Sequence, residues 1–369
     1  MRRAVERQHF QIRAWSRRAS KRRPYEGIPV GLALDASRPG PKQDGRSPPV
    51  PARRPQARRR FRIRARLQNA PERTIVSPIR AALLLLLLGT VACGDNGASP
   101  FPPTEAKTAE DYWFDKAELT RYETRQSRYG EIRDGESVLV FVTEPFLADE
   151  QVKHESGPGE SAVPVLKLNR IRSFPTGVYD YRLMASVFHP VEPGGPDPAG
   201  LKIAMSSIEW CGLVFQQVNR RDGTLKTQLR SYFQREGDQN VSLPGVWTED
   251  ELWVRLRLDP ESLPVGPIEI LPELFFQRLA HLQPEPLEAR ARLDLESDPA
   301  TYRLDYPALE RRLEIRFEPS YPHRILGWTE TVDGNLFSEG RATHSERLYY
   351  WERNATEDAF LRRELGLEP

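Results

Sequence analysis

Residues 206–212 read Ser-Ser-Ile-Glu-Trp-Cys-Gly and set hydroxyls, a carboxylate, an indole and a thiol side by side. On a strand successive side chains alternate between faces, so Ser207, Glu209 and Cys211 share one face and Ser206, Ile208 and Trp210 the other. A cysteine nucleophile works as the thiolate, which a cation favours and a neighbouring carboxylate disfavours. Glu209 is the wrong neighbour for that chemistry, and His189 or His323 would have to arrive through the fold. Three roles stay open for this stretch. Cys211 is a buried, inert thiol, or the nucleophile of a hydrolase, or part of a polar patch (Ser207, Glu209, Trp210, Cys211) lining a ligand at a barrel mouth. The first is the expectation, with Trp210 or Cys211 on the inner side of the sheet.

The remaining reactive types are scattered. Histidines at 9, 154, 189, 281, 323 and 344 form no His-x-x-x-His pair, and two cysteines supply neither a disulfide framework nor a multi-cysteine metal site. No metal or cofactor is expected, and no catalytic residue is assigned. The acid pairs Glu249 with Glu251 and Glu314 with Glu318 read as solvated surface groups. The aromatic groups at 112–114 and 349–351, and Tyr179 with Tyr181, read as core anchors or as the lining of an apolar cavity, which a barrel of eight or more strands can enclose.

These residues sit in a chain whose charge is divided. Residues 1–75 hold 21 Lys and Arg against five acids, whereas the part after Cys93 holds 32 against 47. The near-neutral total therefore describes no surface, and overall charge gives no argument for nucleic acid as a partner. Residues 1–75 run through Arg/Pro-rich stretches without apolar periodicity, a composition that cannot offset chain entropy by burial and reads as a disordered arm. Arginine-rich and lysine-poor, it also matches translated upstream DNA, in which case the natural start is a non-AUG codon at Val76 or Leu67.

Residues 76–92 read as a signal peptide. Arg73 and Arg80 supply positive charge, and residues 81–92 an apolar run with six consecutive leucines, too short to span a bilayer. The junction Gly-Thr-Val-Ala-Cys-Gly at 89–94 resembles the lipobox of bacterial lipoproteins, with Thr90 in place of the usual leucine. The resemblance implies diacylation of Cys93, which becomes the first residue. Residues 93–109 then form a polar, Pro-bearing tether. Gly94, where inner-membrane retention would use Asp, implies an outer-membrane lipoprotein facing the periplasm.

Residues 110–369 read as a β-rich domain. Leu287, Ala289, Ala291, Leu293 and Leu295 alternate with charged residues, as do Leu313, Ile315 and Phe317, the period of half-buried strands. Residues 137–143 are apolar on both faces and predict a covered central strand. Turn signals stand at Asp134-Gly135, 175–177, Asp222-Gly223, 236–238 and Asp333-Gly334. They delimit strands over 118–128, 132–144, 163–172, 178–190, 200–207, 209–220, 224–235, 266–271, 287–296, 301–306, 311–318, 325–332 and 343–351. A capping-box pattern at 248–251 opens one helix, and 272–282 and 355–365 supply two more. The expected fold is a curled antiparallel sheet or lipocalin-like β-barrel with a few short helices.

Five stretches carry a family resemblance: residues 117–144, 205–212 (Met-Ser-Ser-Ile-Glu-Trp-Cys-Gly), 232–237 (Tyr-Phe-Gln-Arg-Glu-Gly), 322–328 (Pro-His-Arg-Ile-Leu-Gly-Trp) and 350–354 (Tyr-Trp-Glu-Arg-Asn). Together they resemble a family of uncharacterised bacterial lipoproteins filed under the name septum formation inhibitor Maf. The name does not imply the Maf activity. True Maf proteins resemble α/β nucleotide pyrophosphatases with a Ser-x-Ser-Pro-Arg-Arg motif, and the nearest match, residues 76–80, falls in the leader. The sequence thus predicts an anchored periplasmic protein whose sheet binds an apolar small molecule or an envelope component. The alternatives are an envelope protein–protein scaffold and a periplasmic hydrolase using Cys211.

Overall fold

The computed structural model describes residues 99–155 and 162–367; the arm, the leader and Cys93 lie outside them. Alternating apolar and polar residues produce a run of strands: β1 (Ala117–Arg128), β2 (Glu131–Leu147), β3 (Val152–Lys153), β4 (Ala162–Pro175), β5 (Asp180–Pro190), β6 (Lys202–Glu209), β7 (Gly212–Arg221), β8 (Thr224–Ser231) and β9 (Gln239–Pro244). After a short connection come β10 (Trp247–Thr248), β11 (Gly266–Leu271), β12 (Leu287–Asp294), β13 (Ala300–Tyr306), β14 (Arg311–Phe317), β15 (Ile325–Val332) and β16 (Asn335–Leu348). The helices are α1 (Ala109–Trp113), α2 (Glu249–Leu258), α3 (Leu274–Ala280) and α4 (Phe360–Glu364).

All the strands join one sheet, in the order β10 through β16, then β1, β2, β4 and on to β9, with β3 on the end of β2. Every pairing is antiparallel except β10 with β11. The sheet curls without closing, since β9 and β10 are its two edges although they are neighbours in the chain. Of the two expected architectures, the curled sheet is the one formed.

Helices occupy the inside of the curl. Thr248 caps α2 through the expected capping box, its N–H donating to Glu251 Oε1 at 2.8 Å and its hydroxyl accepting from the Glu251 N–H. Residues 249–257 are all buried, with α2 against β4 and β5 and α3 against β5 and β6. Both helices join the main core.

A helix buried on every side and carrying five ionisable side chains must satisfy them, because an isolated buried charge is prohibitively costly. Arg257 donates to both oxygens of Glu118 on β1 at 2.6 and 2.7 Å, and the Tyr112 hydroxyl adds a third bond at 2.6 Å. Arg311 on β14 grips Glu249 at 2.6 Å through two nitrogens and reaches Glu330 through its Nε. Glu249 and Glu251 are thus fully buried ion-pair partners, not the solvated pair their spacing suggested. The sequence pattern places them at a helix start but does not show that the sheet wraps around that start.

The apolar run at 137–143 is covered on both faces, as expected. Leu139 and Phe141 join the main core, while Val140 and Val142 pack outward with Leu119 beneath Leu365, Tyr350 and Trp351 of the C-terminal segment. Asp134-Gly135 is not a turn: it lies inside β2, and a side chain on Gly135 would meet the Ser173 carbonyl. The turn is Tyr129-Gly130, both with positive φ. Besides the two-residue strands β3 and β10, two strand stretches escaped the pattern: 239–244, where polar residues interrupt the alternation, and 335–342, whose inward residues Ser338, Gly340 and Ala342 are small.

Candidate functional site

At one end of the sheet four neighbouring connections come together: Tyr129-Gly130, residues 176–179, Trp210-Cys211 and residues 232–238. The Ser206–Gly212 stretch ends here. Alternation holds along β6, so Ser207 and Glu209 are buried and Ile208 points outward. It stops at the hairpin turn. Trp210 is 76 % exposed and Cys211 is exposed as well, which corrects the expectation that either faces the inside. The pleat rule ends at Glu209, the last paired residue, which faces Gly212 across the hairpin, and Trp210 and Cys211 form the two-residue turn beyond it. The four sequence-predicted residues therefore separate into two buried polar groups beneath the rim and two exposed ones on it.

Around them stand Tyr179 and Tyr181, read from the sequence as core anchors or cavity lining, together with Tyr129 and Arg128, which the sequence did not flag. The hydroxyls of Tyr129, Tyr179 and Tyr181 converge, at 2.6 Å for Tyr129 to Tyr181 and 3.1 Å for Tyr129 to Tyr179. Arg128 stacks on the rings of Tyr129 and Tyr181 and donates to the Tyr181 hydroxyl at 2.9 Å and to the Leu279 carbonyl at 2.8 Å, tying the rim to α3. Burial works to raise the Tyr129 phenol pKa. Hydrogen bonds from Tyr179 and Tyr181 and the Arg128 charge outweigh it and hold the group below the ordinary tyrosine value. Tyr181 moves the other way, raised by burial and by hydrogen bonds to Glu209 and Tyr129.

Tyr129 adopts φ +57 in a two-residue hairpin turn, a slot that asparagine or glycine usually fills. A bulky side chain in the left-handed region costs on the order of 1–2 kcal/mol, and its phenol contacts offset that strain. The one signal for this in the sequence is a tyrosine directly before Gly130 between two alternating runs.

Below the rim, Glu209 accepts from Arg278 at 2.7 Å, and Glu236 accepts from His281, whose ring packs on Phe233. The histidine at this end is thus His281. His189 lies at the opposite end of β5, buried, with Nδ1 against the Pro190 carbonyl, and His323 sits in the β14–β15 connection, also at the far end. Neither is placed to act on Cys211. No group of three or more His, Cys, Asp or Glu could hold a metal ion among the described residues. A groove on the outer face, lined by Glu123, Arg125, Asp134, Arg316, Glu339 and Arg341, is a ladder of cross-strand ion pairs such as Arg125–Glu339 at 2.7 Å and Arg341–Glu123 at 3.0 Å.

The rim can stack flat or apolar groups on Trp210, Tyr129 and Tyr232 and hydrogen-bond their polar edges through phenols. It offers no general base poised beside a nucleophile. No family model matches the chain, and neither a curated protein nor a solved structure does.

Proposed function

We propose that this protein is a lipid-anchored lipoprotein of the bacterial outer membrane, facing the periplasm, that binds an envelope component at its aromatic rim. The anchoring half rests on the leader and the lipobox-like junction before Cys93, and on the stretches that resemble envelope lipoproteins. The binding half rests on one observation: Trp210, Tyr129 and Tyr232 stand exposed on three of the four connections at this end of the sheet, beside a hydrogen-bonded phenol cluster. Exposed aromatic groups gathered this way mark interaction sites in soluble domains. Helices fill the inside of the curl, which favours recognition at the rim over an apolar ligand held within.

Intact mass of the membrane-extracted protein tests the anchor; cleavage before Cys93 with added acyl mass is expected, and an unacylated chain beginning at Met1 sinks it. Native mass spectrometry of the protein purified from its host tests the binding. A retained component that is lost in Trp210→Ala supports the rim, and equal retention by that variant overturns it.

A further inference from the structure

The outer face of β5–β8, next to the rim, differs from the rest of the domain. The strand registers set its outward residues in rows. Arg182, Ile208 and Leu213 form the first; Met184, Ser206, Phe215 and Arg230 form the second. Two rows below, Phe188, Lys202, Asn219 and Lys226 are aligned. The part of this face next to the rim is apolar, and Ile208 and Leu213 are each more than half exposed (52 % and 54 %), while the row between the second and the last, Ser186, Ala204, Gln217 and Gln228, is mostly polar and uncharged. The margins of the face are cationic, and the rows contain no acid.

These cations are not neutralised as those elsewhere are. Lys226 donates to the Ser242 hydroxyl, Arg230 to the Gln239 carbonyl and the Asn240 amide, and Lys202 to the Gln151 carbonyl. Arg182 alone has a carboxylate nearby, Asp180 at the strand end, 3.7 Å away and exposed. The ladder on β1, β2 and β16, by contrast, pairs Arg121, Arg125 and Arg341 with glutamates. A cationic, apolar face on a domain with 15 excess negative charges after Cys93 is an outlier that calls for an anionic, apolar counterpart.

We infer that this face lies on an anionic phospholipid bilayer. The apolar side chains beside the rim enter the headgroup boundary, Trp210 and Tyr232 take the interfacial level that such rings favour, and the Lys and Arg side chains meet lipid phosphates. Screening over about 8 Å makes the local face, not the net charge of the domain, decide the attraction. The proposal rests on the envelope reading for the bilayer's presence and adds to it: the acyl anchor holds the chain at the membrane, and the basic and apolar face sets how the domain lies on it. It also lays the rim along the membrane surface.

The test uses the full chain carrying Cys93→Ser, which has no acyl anchor and keeps Cys211 as its single thiol. Flotation with phosphatidylglycerol-containing vesicles is compared with phosphatidylcholine vesicles, and an environment-sensitive fluorophore on Cys211 reports insertion. Flotation with the anionic vesicles alone and a blue-shifted label are expected, falling as salt rises. Lys226→Gln with Arg230→Gln should weaken flotation roughly thirtyfold, and Ile208→Ser with Leu213→Ser should abolish the blue shift. Arg303→Gln, outside these rows, should change neither. Absence of flotation, or equal flotation by the face variants, overturns the proposal, including in favour of a protein partner for this face. A chain that is unacylated in its host but still floats refutes the anchor and leaves this inference standing.

Discussion

The residues that hold the inside of the sheet together are ionised or poised to be, and one is held close to its titration point. Asp250 is fully buried on α2, and its carboxyl pKa is pushed up to about 7 by burial, tempered by Arg170 and the Leu274 N–H at 3.0 Å. A raised acid pKa in the folded state means that Asp250 contributes most at low pH and loses that contribution as pH rises from about 4 through 7. Asp250→Asn keeps an acceptor for Leu274 and removes the titration. The variant should match wild type near pH 4 and exceed it by about 2–4 kcal/mol at pH 8, a gap read from urea unfolding at the two values; a pH-independent difference would rule it out. Cys211 makes the opposite case, an exposed side chain free of the core. In a Cys93→Ser chain its thiol should label stoichiometrically in the folded state, and Cys211→Ser should shift stability by less than about 0.5 kcal/mol, as for a surface position. Labelling that waits for global unfolding would restore the buried thiol. These two residues show where sequence reasoning reaches its limit. Period two put Ser207 and Glu209 on one face without saying which face is inside, and nothing local says where a hairpin turns or which helix a sheet encloses.

Among the elements, β15 and β16 are locked by an aromatic contact that tolerates no added atom. The Trp328 ring packs against Tyr122 and Trp253, its Nε1 donates to the Ser338 hydroxyl at 3.0 Å, and Ser338 in turn donates to Glu330. A Cβ on Gly340 would stand 2.2 Å from the Trp328 ring, which cannot retreat into a core already filled by α2. Gly340→Ala should therefore cost about 3 kcal/mol, at the upper end for overpacking, whereas Gly177→Ala, in open space and without positive φ, should be neutral or slightly stabilising. Equal effects of the two in thermal unfolding would remove the clash from consideration. Most strands were legible because their alternation is clean, as with Leu313, Ile315 and Phe317. The stretch holding Gly340 was not, because its inward positions are Ser338, Gly340 and Ala342, too small to register as apolar period two.

At the scale of the whole molecule, the open question for a curled sheet is what keeps its edges from separating, since β9 and β10 share no ladder. The chain supplies a local fastening at this seam. Arg220, at the end of β7, donates to the Gly245 and Val246 carbonyls at 2.9 and 3.0 Å, in the two residues that link the edges. The same guanidinium reaches the Gly200 carbonyl at 3.0 Å and Glu251 of α2 at 3.2 Å, and Glu251 also accepts from the Gly200 N–H. One side chain thus holds a sheet edge, the connection after β5 and the start of the enclosed helix. Such planar, multi-pronged donation is what arginine does and lysine does not. Arg220→Lys should retain charge but lose most of these bonds, costing about 2–3 kcal/mol, and Arg220→Met about 3–5, because Glu251 would be left buried beside unsatisfied carbonyls. The loss should be local before it is global. Hydrogen exchange should quicken in β9, β10 and the first turn of α2 while β1, β2 and β4, in the middle of the sheet, keep their protection. Uniform acceleration across all strands, or none, would show that the seam is held by the packing of α2 alone.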